Sequence, residues 1–166
     1  MGGYALAFVA RDLKDGAAFT DRALALNPSL AAAWLFSAWV RLYLGEHDIA
    51  IERFTHAMRL SPLDPFSYLA YTMIGACHLV SGRYDEASAW GESGLRERPN
   101  WTVACRVVAA SHALAGRMEP ARKAMARLRQ LDPTLRISNL REVAPLQPPE
   151  DYAKYEEGLR LAGLPE

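Results

Sequence analysis

The residues best equipped for chemistry are two histidines, two cysteines and one serine between glycines. His78 and His112 lie 34 positions apart, each late in an apolar run of helical spacing. Two imidazoles without a nearby carboxylate make an incomplete metal set. Hydrogen-bonded structural histidines are the expected reading, and a two-histidine metal or small-ligand sensor is the alternative. Cys77 and Cys105 stand at no close spacing with each other or with a histidine pair, so neither a zinc site nor a redox dithiol is written here. Both fall in apolar helical runs, where buried free thiols are expected. The serine of Gly91-Glu92-Ser93-Gly94 lacks the second spacing of a nucleophile elbow and lies in a helical run rather than a strand-to-helix turn. Phosphate-cradling loops, dinucleotide glycine fingerprints and zinc-protease helices are absent. The chain is therefore expected to carry no catalytic residues, no metal and no cofactor.

The elements around these residues are helical. A chain of 166 residues suits one domain, and its 51% hydrophobic and 23% charged residues exclude wholesale disorder. Alanine supplies 28 residues and β-branched residues are few, which favours helix over sheet. Nineteen basic residues balance nineteen acidic ones, an argument against naked nucleic acid or an anionic membrane as the main partner. The longest stretch without a formal charge, Phe66 to Gly82, contains Ser67, Thr72, His78 and Ser81 and is too short to span a bilayer. Nothing at the N-terminus reads as a signal peptide, so Asn100-Trp101-Thr102 is a chance glycosylation triplet and the expected location is cytoplasmic.

Self-similarity organises the chain. Leu26-Asn27-Pro28, Leu60-Ser61-Pro62 and Leu131-Asp132-Pro133 each read as a helix end, with Arg98-Pro99 as a weaker fourth. Their prolines are spaced by 34, 37 and 34 residues; Gly45, Gly82 and Gly116 keep the intervals of 37 and 34, as do Ala50, Ala87 and Ala121. Each unit reads as a helical hairpin in which glycine ends the first helix and proline follows the second. Small residues at the crossing (Ala38 with Ala50, Gly75 with Ala87, Ala109 with Ala121) let the helices approach. Three extra residues within Ser61-Pro62-Leu63-Asp64-Pro65-Phe66 lengthen one connection and should alter the local twist.

These positions resemble the tetratricopeptide repeat. The second unit matches it with Trp34, Ala38, Gly45, Ala50, Phe54, Ala57 and Pro62. The third has Gly91 where a large aromatic belongs, and the fourth has Met125. The resemblance implies an all-α, right-handed solenoid of helix-turn-helix repeats, and the residues that follow it are expected to add a C-terminal capping helix. It covers residues 1–133, as a truncated repeat (about 1–28) and repeats at 29–62, 63–99 and 100–133; residues 134–148 are expected as an extended linker and 149–166 as a final helix and tail. A narrower likeness runs through Arg41–Gly45, Ser61–Pro65 and the ending Glu157–Glu166. It is similar to the C-terminal repeat region of bacterial class III adenylate/guanylate cyclases, and it implies a fragment of a larger signalling protein, with no cyclase motif in these residues.

The resemblance implies a groove that binds a protein or peptide. Its lining would be Leu35, Trp39, Leu42 and Tyr43, then Leu69, Thr72, Ala76 and Leu79, then Val103, Arg106 and Ala110. Trp39 and Tyr43 would be anchors for a partner or, alternatively, packing residues. A truncated first helix leaves Tyr4, Leu6, Phe8 and Val9 as an apolar run, which suggests a homo-oligomer through that end. Seven basic against two acidic residues fill Arg117 to Arg141, and six acidic against two basic fill Glu142 to Glu166. Two solvated faces, a tail folded onto the last repeat, or an acidic partner would each fit. Pro149 suits the first position of a final helix and Gly163 its end, with Tyr152, Tyr155, Leu159 and Ala162 as one stripe. That stripe is expected to cap the last repeat at Leu128, although the linker is long enough to reach the groove.

Overall fold

Glycine at one place in three successive units sets the hairpin geometry. In the computed structural model, which describes residues 13–166, Gly45, Gly82 and Gly116 take φ of 85°, 79° and 75°, a region that residues with a Cβ avoid. Each closes a helix with the same pair of bonds. The Gly45 amide donates to the Leu42 carbonyl and the Glu46 amide to Arg41, at 3.0 and 2.9 Å, and the other two units repeat this.

The helices are α1 (Leu13–Leu26), α2 (Ala31–Tyr43), α3 (His47–Leu60), α4 (Ser67–Val80), α5 (Tyr84–Glu97), α6 (Thr102–Leu114) and α7 (Met118–Leu131). After them come a 3-10 turn (Ile137–Asn139), the single helical turn α8 (Leu140–Val143) and α9 (Pro149–Ala162). The described residues include helices and no strand. Hairpins α2/α3, α4/α5 and α6/α7 stack in order, with α1 on α2, and the first helices α2, α4 and α6 lie side by side.

The crossings explain the small residues. Ala38, Ala50, Ala109 and Ala121 are wholly buried. A Cβ on Gly75 would stand 2.9 Å from the Ala87 carbonyl oxygen, so only glycine lets α4 lie this close to α5. Where the third unit lacks its aromatic, α6 fills the space: a Cβ on Gly91 would stand 2.8 Å from Val108 Cγ2. Phe54 and Met125 occupy the equivalent places in the other units and are buried.

Two expectations about the C-terminal part need correction. Residues 134–148 are not an extended run, because they fold into the 3-10 turn and α8 and bury Leu135, Ile137, Leu140, Ala144 and Leu146. Short apolar spacing of this kind makes turns that bind to a core without a full helical period. The tail helix α9 does begin at Pro149 and end at Gly163 (φ 98°), but it packs mainly along α6, from the side of the first helices. Since α6 and α7 make up the last repeat, α9 does dock on that repeat, but along its first helix more than at Leu128 of α7, which lies in one core with Leu135, Ile137, Leu140 and Leu159. Tyr4, Leu6, Phe8 and Val9 lie outside the described residues.

Candidate functional site

The concave face is divided between the chain's own tail and an open cleft. Along one half, α9 lies across the C-terminal ends of α2 and α4 and then down α6. The Gln147 amide donates to the Tyr43 carbonyl at 3.0 Å, and Pro148 sits against Gly45. His47 Nε2 pairs with Asp151 Oδ2 at 2.6 Å, with the carboxylate almost wholly buried. Lys154 Nζ donates to the Val80 carbonyl at 2.5 Å, one of the last carbonyls of α4. Further on, Gly158 admits the Ala110 backbone, and Arg141 stacks 3.6 Å from the ring centre of Tyr152. What remains between tail and solenoid is a void of about 40 Å³ lined by Leu42, Tyr43, Ala76, Arg106, Leu146 and Tyr155, among others. Burial pushes the Tyr155 phenol well above its ordinary range, with Arg106 drawing it partly back. Tyr43 is raised for the same reason.

The expected groove residues therefore separate. Leu42, Tyr43, Ala76 and Arg106 lie on the tail side, and Val103 joins them. Thr72 corrects the expectation: it is wholly buried, with its Oγ1 packed where Gly94 of α5 has no side chain. Leu35, Trp39 and Leu69 line the other half, an open cleft of about 990 Å³ between the second and third units. Phe36, Met58, Phe66, Tyr68, Tyr71 and Trp101 make most of its remaining apolar wall, with Arg59 and Asp64 as its charged residues. This size and character suit ligand recognition. The indole N–H groups of Trp39 and Trp101 find no hydrogen-bond acceptor. The lengthened connection builds one wall: its Asp64 side chain caps the Phe66 amide at 2.8 Å, and two tight turns hold α3 and α4 apart. The extra residues were visible in the sequence, but the cleft they open was not. The His47–Asp151 pair had no sequence signal, since 104 residues separate the two.

His78 and His112 are both held by hydrogen bonds. His78 Nδ1 accepts from Arg83 Nε at 2.7 Å, and His112 Nδ1 accepts from Arg117 Nε at 2.9 Å while its Nε2 meets Glu92 at 2.9 Å. Arg41 and Glu46 hold the same two places in the unit before, paired at 2.6 Å. Each arginine of the later turns also reaches back one unit, Arg83 to Asp48 and Arg117 to Asp85, so the residues form a ladder that ties repeat to repeat. Burial and Arg83 hold the His78 imidazole below its ordinary range. Among the described residues no group of three histidine, cysteine or carboxylate side chains is placed to hold a metal ion. Cys77 and Cys105 are buried free thiols, both pushed up by burial. The basic strip and acidic tail do not meet as ion pairs among the described residues: Arg127 bonds Asn100 and Gln130, while Glu156, Glu157 and Glu166 pair with Arg160. No described helix is long and apolar enough to cross a membrane.

No family model matches the sequence, and no curated protein is significantly similar to it. Solved structures show the fold. The 41-end fragment of MamA from Desulfovibrio magneticus RS-1 superposes with a TM-score of 0.65 at 16% identity, over 98% of this chain and 94% of that one. MamA from MSR-1 gives 0.62 at 21% identity, over 78% and 73%. YrrB, described as a TPR protein with an unusual peptide-binding site, gives 0.60 at 16%, over 94% and 82%. The architecture is thus a helical solenoid of the tetratricopeptide kind.

Proposed function

We propose that this chain is a protein-interaction module that receives an apolar segment of a partner protein in the cleft between its second and third repeats. The observation that carries this reading is the division of the concave face. The tail buries Tyr152, Tyr155, Leu159 and Leu164, and at about 1.5–3 kcal/mol for each such side chain its docking is too favourable for routine displacement. The free recognition surface is then the aromatic cleft, where Leu35, Trp39 and Leu69 stand. The peptide-binding site named for YrrB supports the same class of role. Large rigid aromatics bury much area at small entropic cost, which makes the half-buried Tyr71 and Trp101 the anchors, while Trp39, only 7% exposed, packs as the floor beneath them. The sequence likeness of Arg41–Gly45, Ser61–Pro65 and Glu157–Glu166 to the ends of bacterial nucleotide cyclases supports a finer reading, in which the module belongs to a larger cytoplasmic signalling protein. The open reading frame that carries this sequence tests that part. A photo-reactive amino acid tests the docking: placed at Leu69 it should cross-link the partner, and placed at Glu86 on the outer helix α5 it should not. Equal cross-linking from both positions, or none from the cleft, refutes it.

A further inference from the structure

The cleft has a projecting apolar residue at its own rim. Leu63, at the tip of the lengthened connection, is 95% exposed, and Phe66 at the other end of the connection is 54% exposed. Leu26 (83%) and Leu30 lie at the preceding turn between units, which the hairpin topology places at the same end of the solenoid. The double turn points a leucine at water, where its side chain gains nothing from the chain's own core. Such a row of exposed apolar side chains marks an interface.

We infer that the occupant of this cleft is a second copy of the chain, with Leu63 of each copy inserted into the cleft of the other. The inference rests on the proposed docking role of the cleft and names its partner. Three observations favour a copy over an unrelated protein. The projection and the cavity are neighbours on one face, so a two-fold axis beside them satisfies both at once, the requirement for a closed isologous pair. Arg59 and Asp64 both line the cleft and form no ion pair among the described residues, so the two-fold axis brings opposite charges of the two copies together. The chain's formal net charge is zero, so no general repulsion opposes self-pairing.

Sedimentation equilibrium of the whole chain tests this, from low to high micromolar concentration. The wild type should be a reversible dimer. Leu63→Asp alters a side chain with no contacts to lose, so folding should be unchanged. Two symmetry-related leucines leave the interface together, and the dissociation constant should rise about a hundredfold or more. Leu161→Asp, at an exposed position on α9, should leave the dimer intact. A wild type that stays monomeric overturns the inference, as does a dimer indifferent to Leu63→Asp. Either result would leave the docking role standing if the cross-link from Leu69 still captures a different protein, and a failure of that cross-link in a monomer would remove both.

Discussion

Replacing Gly158 by alanine has opposite signs according to where the tail helix rests. In a helix free in solvent the change gains about 1 kcal/mol from helix propensity. Against α6 the added Cβ would stand 2.8 Å from Ala110 Cβ, 2.9 Å from Leu114 Cδ1 and 3.0 Å from the Ala110 carbonyl oxygen, where ordinary contact is 3.4–4 Å. The tip of Leu114 can turn aside. Ala110 Cβ and its carbonyl are fixed to the α6 backbone, so α9 must lift away from Tyr43 and Arg106. Overpacking of this kind costs about 1–3 kcal/mol. Set against the propensity gain, the net loss is about 1 kcal/mol, or a fall of about 2–4 °C in melting temperature for a chain of this size. Gly158→Val has a larger clash and little propensity gain, and should lose about 3 kcal/mol. Ala153 is exposed on the same helix, and Ala153→Gly reports the propensity effect alone, a loss of about 1 kcal/mol. Thermal and urea melts followed by circular dichroism read all three. If Gly158→Ala raises the melting temperature by as much as Ala153→Gly lowers it, α9 is not seated on α6 and the division of the concave face is wrong.

Further outcomes follow from the same contacts. Deleting residues 149–166 uncovers Tyr43, Ala76 and Arg106, and should lower stability by about 4 kcal/mol or more while raising the fluorescence of an added naphthalene-sulfonate dye; an unchanged melt would contradict the burial of Tyr155. Asp151→Ala leaves His47 facing a buried gap and should cost about 1–3 kcal/mol in a urea titration, whereas a cost near zero would mean that the pair is not formed. Burial and then Arg83 depress the His78 pKa in the folded chain, so the unfolded chain takes up that proton first as pH falls. The stability His78 contributes is complete above its unfolded value of about 6.5 and declines below it, so melting temperature should drop less steeply between about pH 7 and pH 5 in His78→Gln than in the wild type. Cys77 and Cys105, buried and held protonated, should react with an aromatic disulfide only after urea unfolding; rapid reaction of the folded chain would show that α4 or α6 opens.

The repeat was legible because its determinants are local. A positive φ at Gly45, Gly82 and Gly116 follows from one residue type at one place, and the proline after each second helix acts on its own backbone. The bounds of α9 were equally local, with proline at its first position and Gly163 in the left-handed region at its end. Its stripe of Tyr152, Tyr155, Leu159 and Ala162 said that the helix must dock, but a stripe names no partner surface. The choice of α6 over Leu128 depends on Gly158 fitting Ala110, a match between residues 48 positions apart that no period reveals. Thr72 was misplaced because repeat register gives an average direction, and Gly94 opens a pocket on the opposite side of α4. The lengthened connection was plain in the sequence, while the cavity it opens depends on side chains of four separate helices or turns.

The nuclear Overhauser spectrum of the methyl-labelled chain tests the central claim most directly. With α9 lying in the groove, the Gly158 α protons should show strong cross-peaks to the Ala110 methyl and to a Leu114 methyl, since these groups touch. The Leu69 methyls, across the open cleft, should show none to residues of α9. Absence of the Gly158–Ala110 cross-peak, with the tail still helical by its chemical shifts, would place α9 elsewhere and leave the whole concave face open.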